Sequence, residues 1–157
     1  MKNKIERILF VAIVATLAVG CFSCKKKKAS EPVITYPQHD RPTWVVEDTT
    51  NLEYSMTITG TLNDSLVGQA DTTDLVAAFW EDQCCGVASI QMFNNEPLFF
   101  LYIVKPSQSP QQFPVTLRYY NAATRYIYVY KVAFTYSPDE RLGTVEDPFV
   151  ADFFTHE

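Results

Sequence analysis

The chain has 157 residues, 47% apolar and 20% charged, the balance of a single globular domain, which excludes disordered and collagen-like classes. With five Gly, two His and no nucleotide-loop pattern, little material exists for a phosphate cradle or a His-based active site. Residues 1–28 hold seven of the 13 bases and one of the 18 acids, which leaves six against seventeen, a net of −11, on residues 29–157. Such a surface repels a phosphate backbone and argues against nucleic-acid binding.

The N-terminus reads as an address. Lys2, Lys4 and Arg7 form a basic start, and residues 9–19 (LFVAIVATLAV) are an unbroken apolar run of eleven. That run is too short to span a bilayer and fits a secretory signal. Gly20-Cys21 directly after it resembles the lipobox of bacterial lipoproteins. The resemblance implies cleavage before the Cys, a diacylglycerol on its thiol and acylation of the new amine. Two alignments remain open: Leu17-Ala18-Val19-Gly20 before Cys21, and Cys21-Phe22-Ser23 before Cys24. The first fits the usual residue preferences better; the second puts the lysines of residues 25–28 directly after the lipid. Each buried CH₂ contributes about 0.8 kcal/mol of anchoring, and each base near anionic headgroups about 1 kcal/mol. The membrane, reached through the N-terminal lipid, is thus an expected partner, and the outer membrane of the cell envelope the expected location. The chain divides into a signal (1–20), a lipidated Cys with a Lys-rich tether and Pro-containing linker (21–43), and a domain (44–157).

The domain reads as strands. Residues 54–62 alternate, with Tyr54, Met56, Ile58 and Leu62 on one face and Ser55, Thr57, Thr59 and Thr61 on the other. Residues 74–80 (DLVAAFW) are apolar on both faces, as a central strand is. A turn at 81–83 leads into residues 84–91, and Asn94-Asn95 turns the chain into 98–104 (LFFLYIV), a continuous buried strand. Residues 113–120 alternate again; 121–124 turn into one long strand over 125–136, and a last turn at 142–144 precedes 149–153. The pattern predicts seven or eight strands and an all-β, two-sheet sandwich, with Phe79, Val87, Phe100, Leu117 and Phe134 buried.

Leu75-Val-Ala-Ala-Phe79 followed by Cys84-Cys85-Gly86-Val87-Ala88 resembles an immunoglobulin-like module of exported Gram-negative proteins, whose pattern runs "VAAF … CRGVA". The likeness continues through Tyr54-Ser-Met-Thr-Ile-Thr, Leu98-Phe-Phe-Leu101, Tyr119-Tyr-Asn-Ala-Ala-Thr124 and Leu142-Gly-Thr144. It implies an immunoglobulin-like β-sandwich serving as an accessory domain, with no activity to carry over. Cys85 stands where the pattern has Arg, so an ionic role there is absent.

Candidate chemistry is sparse. Adjacent strand residues face opposite sides, so Cys84 and Cys85 are expected unbonded, one thiol buried and the other on the opposite face. No His lies near them, and no metal site or cofactor is expected. The acids at Asp71, Asp74, Glu81, Asp82, Glu146 and Asp147 read as solvated turn residues rather than a calcium loop. His39 lies in the linker and His156 next to the end, which disfavours a triad. Tyr126, Tyr128 and Tyr130 share a strand face opposite Ile127 and Val129. If outward, they form an aromatic strip suited to sugar rings or proteins. The chain thus reads as a noncatalytic, lipid-anchored envelope interaction module, with a carbohydrate-binding accessory protein as the alternative. Envelope proteins or glycans are the expected partners.

Overall fold

The structure is a computed structural model that describes residues 36–48, 54–130 and 132–155. The signal run, Cys21, Cys24, the four-lysine run and His156 lie outside the described residues. The strands are β1 (Ser55–Leu62), β2 (Leu75–Trp80), β3 (Gln83–Phe93), β4 (Glu96–Val104), β5 (Pro114–Asn121), β6 (Tyr126–Tyr130), β7 (Phe134–Thr135), β8 (Arg141–Leu142), β9 (Phe149–Ala151) and β10 (Phe153–Thr155). One four-residue helix, α1 (Asp64–Val67), lies between β1 and β2. The domain is all-β. Among the described residues no helix is long and apolar enough to cross a membrane.

Where two separate sheets are expected, one curled sheet is found, a half-barrel with strand order β10-β6-β5-β2-β3-β4-β1-β8. The long strand β3 joins the halves: Gln83 to Ser89 pair with β2, and Ile90 to Phe93 pair with β4. The C-terminal segment holds both ends. β9 lies parallel to β1, and β10, one residue later, runs antiparallel to β6. Ala151 and Phe153 point into the core from the two sides of this crossing, and Asn63 Nδ2 donates to Asp152 Oδ1 (3.1 Å) and to the Phe153 carbonyl (2.9 Å).

The alternation of β1 sets the core: Met56, Ile58 and Leu62 are buried while the threonines between them face out. Gly60 falls on the inner face opposite Phe99, whose ring lies where a Cβ would be, 2.3 Å away. A side chain there would displace the ring from the core. β4 departs from the expected continuous burial. Phe99, Leu101 and Ile103 fill the core, but Phe100 and Tyr102 are 43% and 45% exposed. An unbroken apolar run carries no period-two signal to say which parity faces in. Of the other expected core residues, Phe79 and Leu117 are buried, and Val87 and Phe134 are half-buried against the apolar clusters.

The expected strand over 125–136 is two strands. Arg118 faces Val129, yet Val115 faces Phe134, so three residues along β5 correspond to five along its partner. That two-residue slack separates β6 from β7. The β3–β4 turn is the expected Asn94-Asn95, with φ of 51° and 67°, the left-handed pair of a two-residue hairpin.

Residues 36–43, read as linker, are fastened to the domain. The His39 amide donates to the Arg125 carbonyl (2.8 Å), Arg125 pairs with Asp40, Arg41 donates to the Thr73 carbonyl, and the Tyr36 ring meets Tyr126 at 6.2 Å. These contacts bring Trp44 edge-on to Phe79, with ring centroids 5.6 Å apart. β2 is therefore buried on both faces: Val76 and Ala78 in the main core, Ala77 and Phe79 beneath Trp44.

Asp74, read as a solvated turn acid, is fully buried. Its carboxylate accepts from Tyr119 Oη (2.6 Å), Asn121 Nδ2 (3.3 Å) and the amides of Asp71 (2.9 Å) and Ala122 (2.8 Å). Asp74→Ala strands these donors and should lower stability to urea by about 3–5 kcal/mol. Tyr119→Phe should cost about 1–3 kcal/mol, and the double variant less than the sum, because both remove the same contact.

Candidate functional site

The β6 tyrosines do not form an outward strip. Tyr126, Tyr128 and Tyr130 are half-buried, and so are Ile127 and Val129. Tyr128 and Tyr130 lean on the main core: Tyr128 meets Tyr119 at 5.7 Å, and Tyr130 meets Phe149 and Phe153 at 5.8 and 6.3 Å. Burial pushes the Tyr128 hydroxyl above its ordinary pKa, against a lowering hydrogen bond with Thr124. The physical reason is the end of the sheet. β6 is next to last, so its inner face receives rings from the C-terminal crossing rather than from a facing strand.

Besides Phe154 on β10 beside β6, exposed aromatics lie on the other half of the sheet. Phe100 and Tyr102 alternate outward from β4, and Phe93 at the end of β3 is 49% exposed. Phe100 pairs with Thr59 and Tyr102 with Thr57, so a row of rings runs beside a row of hydroxyls. A shallow depression of about 310 Å³ follows this seam. Its sequence signal was the spacing of residues 100 and 102, hidden because their neighbours are equally apolar.

A second feature is a groove of about 710 Å³ between residues 43–48, the β2–β3 hairpin and the β4–β5 loop. Trp44, Phe79 and Cys84 line it with three carboxylates, Glu47, Asp48 and Asp82. The Arg118 guanidinium stacks over Phe79 at 4.2 Å and reaches Asp82 at 3.5 Å. Asp48 accepts from the Ser107 amide (2.8 Å), which ties the β4–β5 loop to the N-terminal segment.

Cys84 and Cys85 are both free, and both buried. As expected, they are unbonded and lie on opposite sides of the sheet; the second side is buried too, because Trp44 packs over it. A bulge decides which thiol takes which side. Ala78 pairs with Gly86 but Phe79 with Cys84, leaving Cys85 as the extra residue. Cys85 enters the main core; Cys84 joins Phe79 at the groove. Burial pushes the Cys84 thiol up, with Glu47 adding to the effect, and burial pushes Cys85 up to about 12.

Among the described residues no group of three or more His, Cys, Asp or Glu is placed to hold a metal ion. No protein family, curated protein or solved structure matches the chain.

The buried protons predict an alkaline limit on stability. Tyr136 is fully buried, stacked on Phe113 at 4.5 Å, and burial raises its hydroxyl to about 12; Tyr119 is raised in the same direction. With Cys85 they hold their protons in the folded state beyond the pH at which the unfolded chain releases them. Their contribution is complete below the ordinary values of 9.0 for Cys and 10.0 for Tyr, and is lost as pH rises through about 12. The urea midpoint should be flat from pH 7 to 8.5 and fall steadily to pH 11, and a Cys85→Ala, Tyr136→Phe variant should show a shallower fall.

Proposed function

We propose that the protein is a lipid-anchored, noncatalytic interaction module of the cell envelope, held at the outer membrane by Cys21 or Cys24. It docks a protein partner through the Phe93, Phe100 and Tyr102 face. The observation that carries this reading is that face: Phe100 and Tyr102 exposed two residues apart on β4 over one depression, with Phe93 exposed on the same face at the end of the neighbouring strand, where isolated exposed apolar residues would need no explanation. The N-terminal pattern supplies the tether. Fifteen residue steps lead from Cys21 to Tyr36, and at about 3.3–3.6 Å each at full extension they reach roughly 50 Å.

The finer architectural reading, an immunoglobulin-like sandwich of the "VAAF … CRGVA" type, belongs here as well. It is supported by two halves of the sheet contributing to one core, β1 and β4 from one side and β2 and β5 from the other. The alternative function, carbohydrate binding, draws on the threonine row beside Phe100 and Tyr102, since rings with adjacent hydroxyls suit a sugar. Tyr126, Tyr128 and Tyr130 enter both readings as the packed support of the sheet's other half.

Mass spectrometry of the mature protein should find an acylated N-terminal Cys21 or Cys24; an intact Met1 in membranes overturns the anchor. Phe100→Ser with Tyr102→Ser should abolish capture of the envelope partner while leaving the domain folded, as an unchanged far-ultraviolet spectrum would show. Retention on a glycan array, lost in the same variant, would favour the carbohydrate reading.

A further inference from the structure

We infer that the groove beside Trp44 is a recognition site for a cationic side chain, Arg or Lys, presented by an extended peptide. Its residues do not overlap the Phe93, Phe100 and Tyr102 face, so it stands independently of the docking role given to that face.

The size comes first. About 710 Å³ lies within the range of specific ligand pockets and exceeds what one or two waters fill. The composition comes next. The residues lining it include three acids, two aromatic rings and no Lys, Arg or His. Asp48 is partly committed to the Ser107 amide, and Asp82 to Arg118. Glu47 is exposed and enters no ion pair among the described residues. At the floor of the groove burial dominates the rise of the Cys84 thiol, with Glu47 adding to it and Arg118 opposing it.

The domain itself shows what this chemistry takes. Arg118 lies over the Phe79 ring at 4.2 Å with Asp82 at 3.5 Å, a cation held between a π face and a carboxylate. Trp44 and Glu47, a ring and a carboxylate, line the same groove, which has no basic side chain in its own lining. Indole is the better π partner for a cation. An arriving guanidinium or ammonium would find an aromatic wall and a carboxylate already placed, with Thr43, Gln83 and Gln108 able to accept from a peptide backbone. An anionic or purely apolar ligand would leave Glu47 without compensation.

The test uses the full-length protein in detergent micelles and two capped peptides, acetyl-Gly-Arg-Gly-amide and acetyl-Gly-Glu-Gly-amide. The readout is the Trp44 indole N–H resonance, assigned by its loss in Trp44→Phe. The Arg peptide should shift it saturably with a Kd of roughly 1–10 mM, and the Glu peptide should not. Glu47→Gln should weaken binding roughly fivefold, and Glu96→Gln, an exposed acid outside the groove, should leave it unchanged. No saturable shift up to about 20 mM, an equal response to the Glu peptide, or full affinity in Glu47→Gln overturns the proposal. Each result leaves the Phe100 and Tyr102 face untouched, so the two ideas fail separately.

Discussion

The rest of the domain depends on one buried carboxylate. Asp74 sits at the head of the central strand with no exposure, and a charge in that position is tolerable only when its lone pairs are filled. Four donors fill them, from three pieces of chain: the loop before β2, the end of β5 and the turn after it. Removing any one donor leaves the buried carboxylate short of a partner, so the contacts act together. The consequence is positional. Asp74 fixes where β5 ends relative to where β2 begins, and this pair is the middle of the sheet.

Two lines of structure run outward from that point. Through Tyr119, whose hydroxyl is bound by Asp74, the ring meets Tyr128 and Phe153, so the carboxylate orients the aromatic layer that receives the C-terminal crossing. Through Asn121, which also accepts from the Thr124 amide and hydroxyl, the β5–β6 turn is held in the form that puts Arg125 at φ 63°. Arg125 in turn binds His39 and Asp40 and so seats the N-terminal segment. Trp44 reaches Phe79 at the end of that line. The groove is therefore a distant product of the Asp74 network, although Asp74 does not line it.

What was legible in the sequence followed from periodicity and turn chemistry. Met56, Ile58 and Leu62 declared their face because threonine and serine separate them, and Asn94-Asn95 declared a hairpin because Asn tolerates positive φ. What was not legible depended on single-residue register or on distant contacts. Phe100 could not be told from Phe99 in an unbroken apolar run. The three tyrosines of β6 alternate correctly with Ile127 and Val129, but which set faces inward is decided by rings from Phe149 and Phe153, more than twenty residues away on average. Asp74 looks like any turn acid until Tyr119 and Asn121 are placed around it. Residues 36–43 carry prolines and no apolar period, and their attachment rests on backbone and guanidinium hydrogen bonds that no hydrophobic pattern announces.

The bulge at Cys85 shows how much one residue decides. Without an extra residue, regular alternation would put position 84 on the same side as Gly86, facing the main core, and position 85 on the other. With it, Cys84 shares the side of Phe79 and Val87 and reaches the groove, while Cys85 and Gly86 both turn toward the core. Two consecutive inward positions are possible only if one is nearly empty. Gly86 meets that condition, because a Cβ there would stand 2.6 Å from the Tyr102 carbonyl and 3.2 Å from Leu101. The small thiol of Cys85 satisfies the other half, filling the remaining volume without a polar group that needs a partner. The same local device thus closes the core under β4, whose outer face carries Phe100 and Tyr102, and leaves the floor of the groove to Cys84. Both surfaces rest on a register shift that neither of them contains.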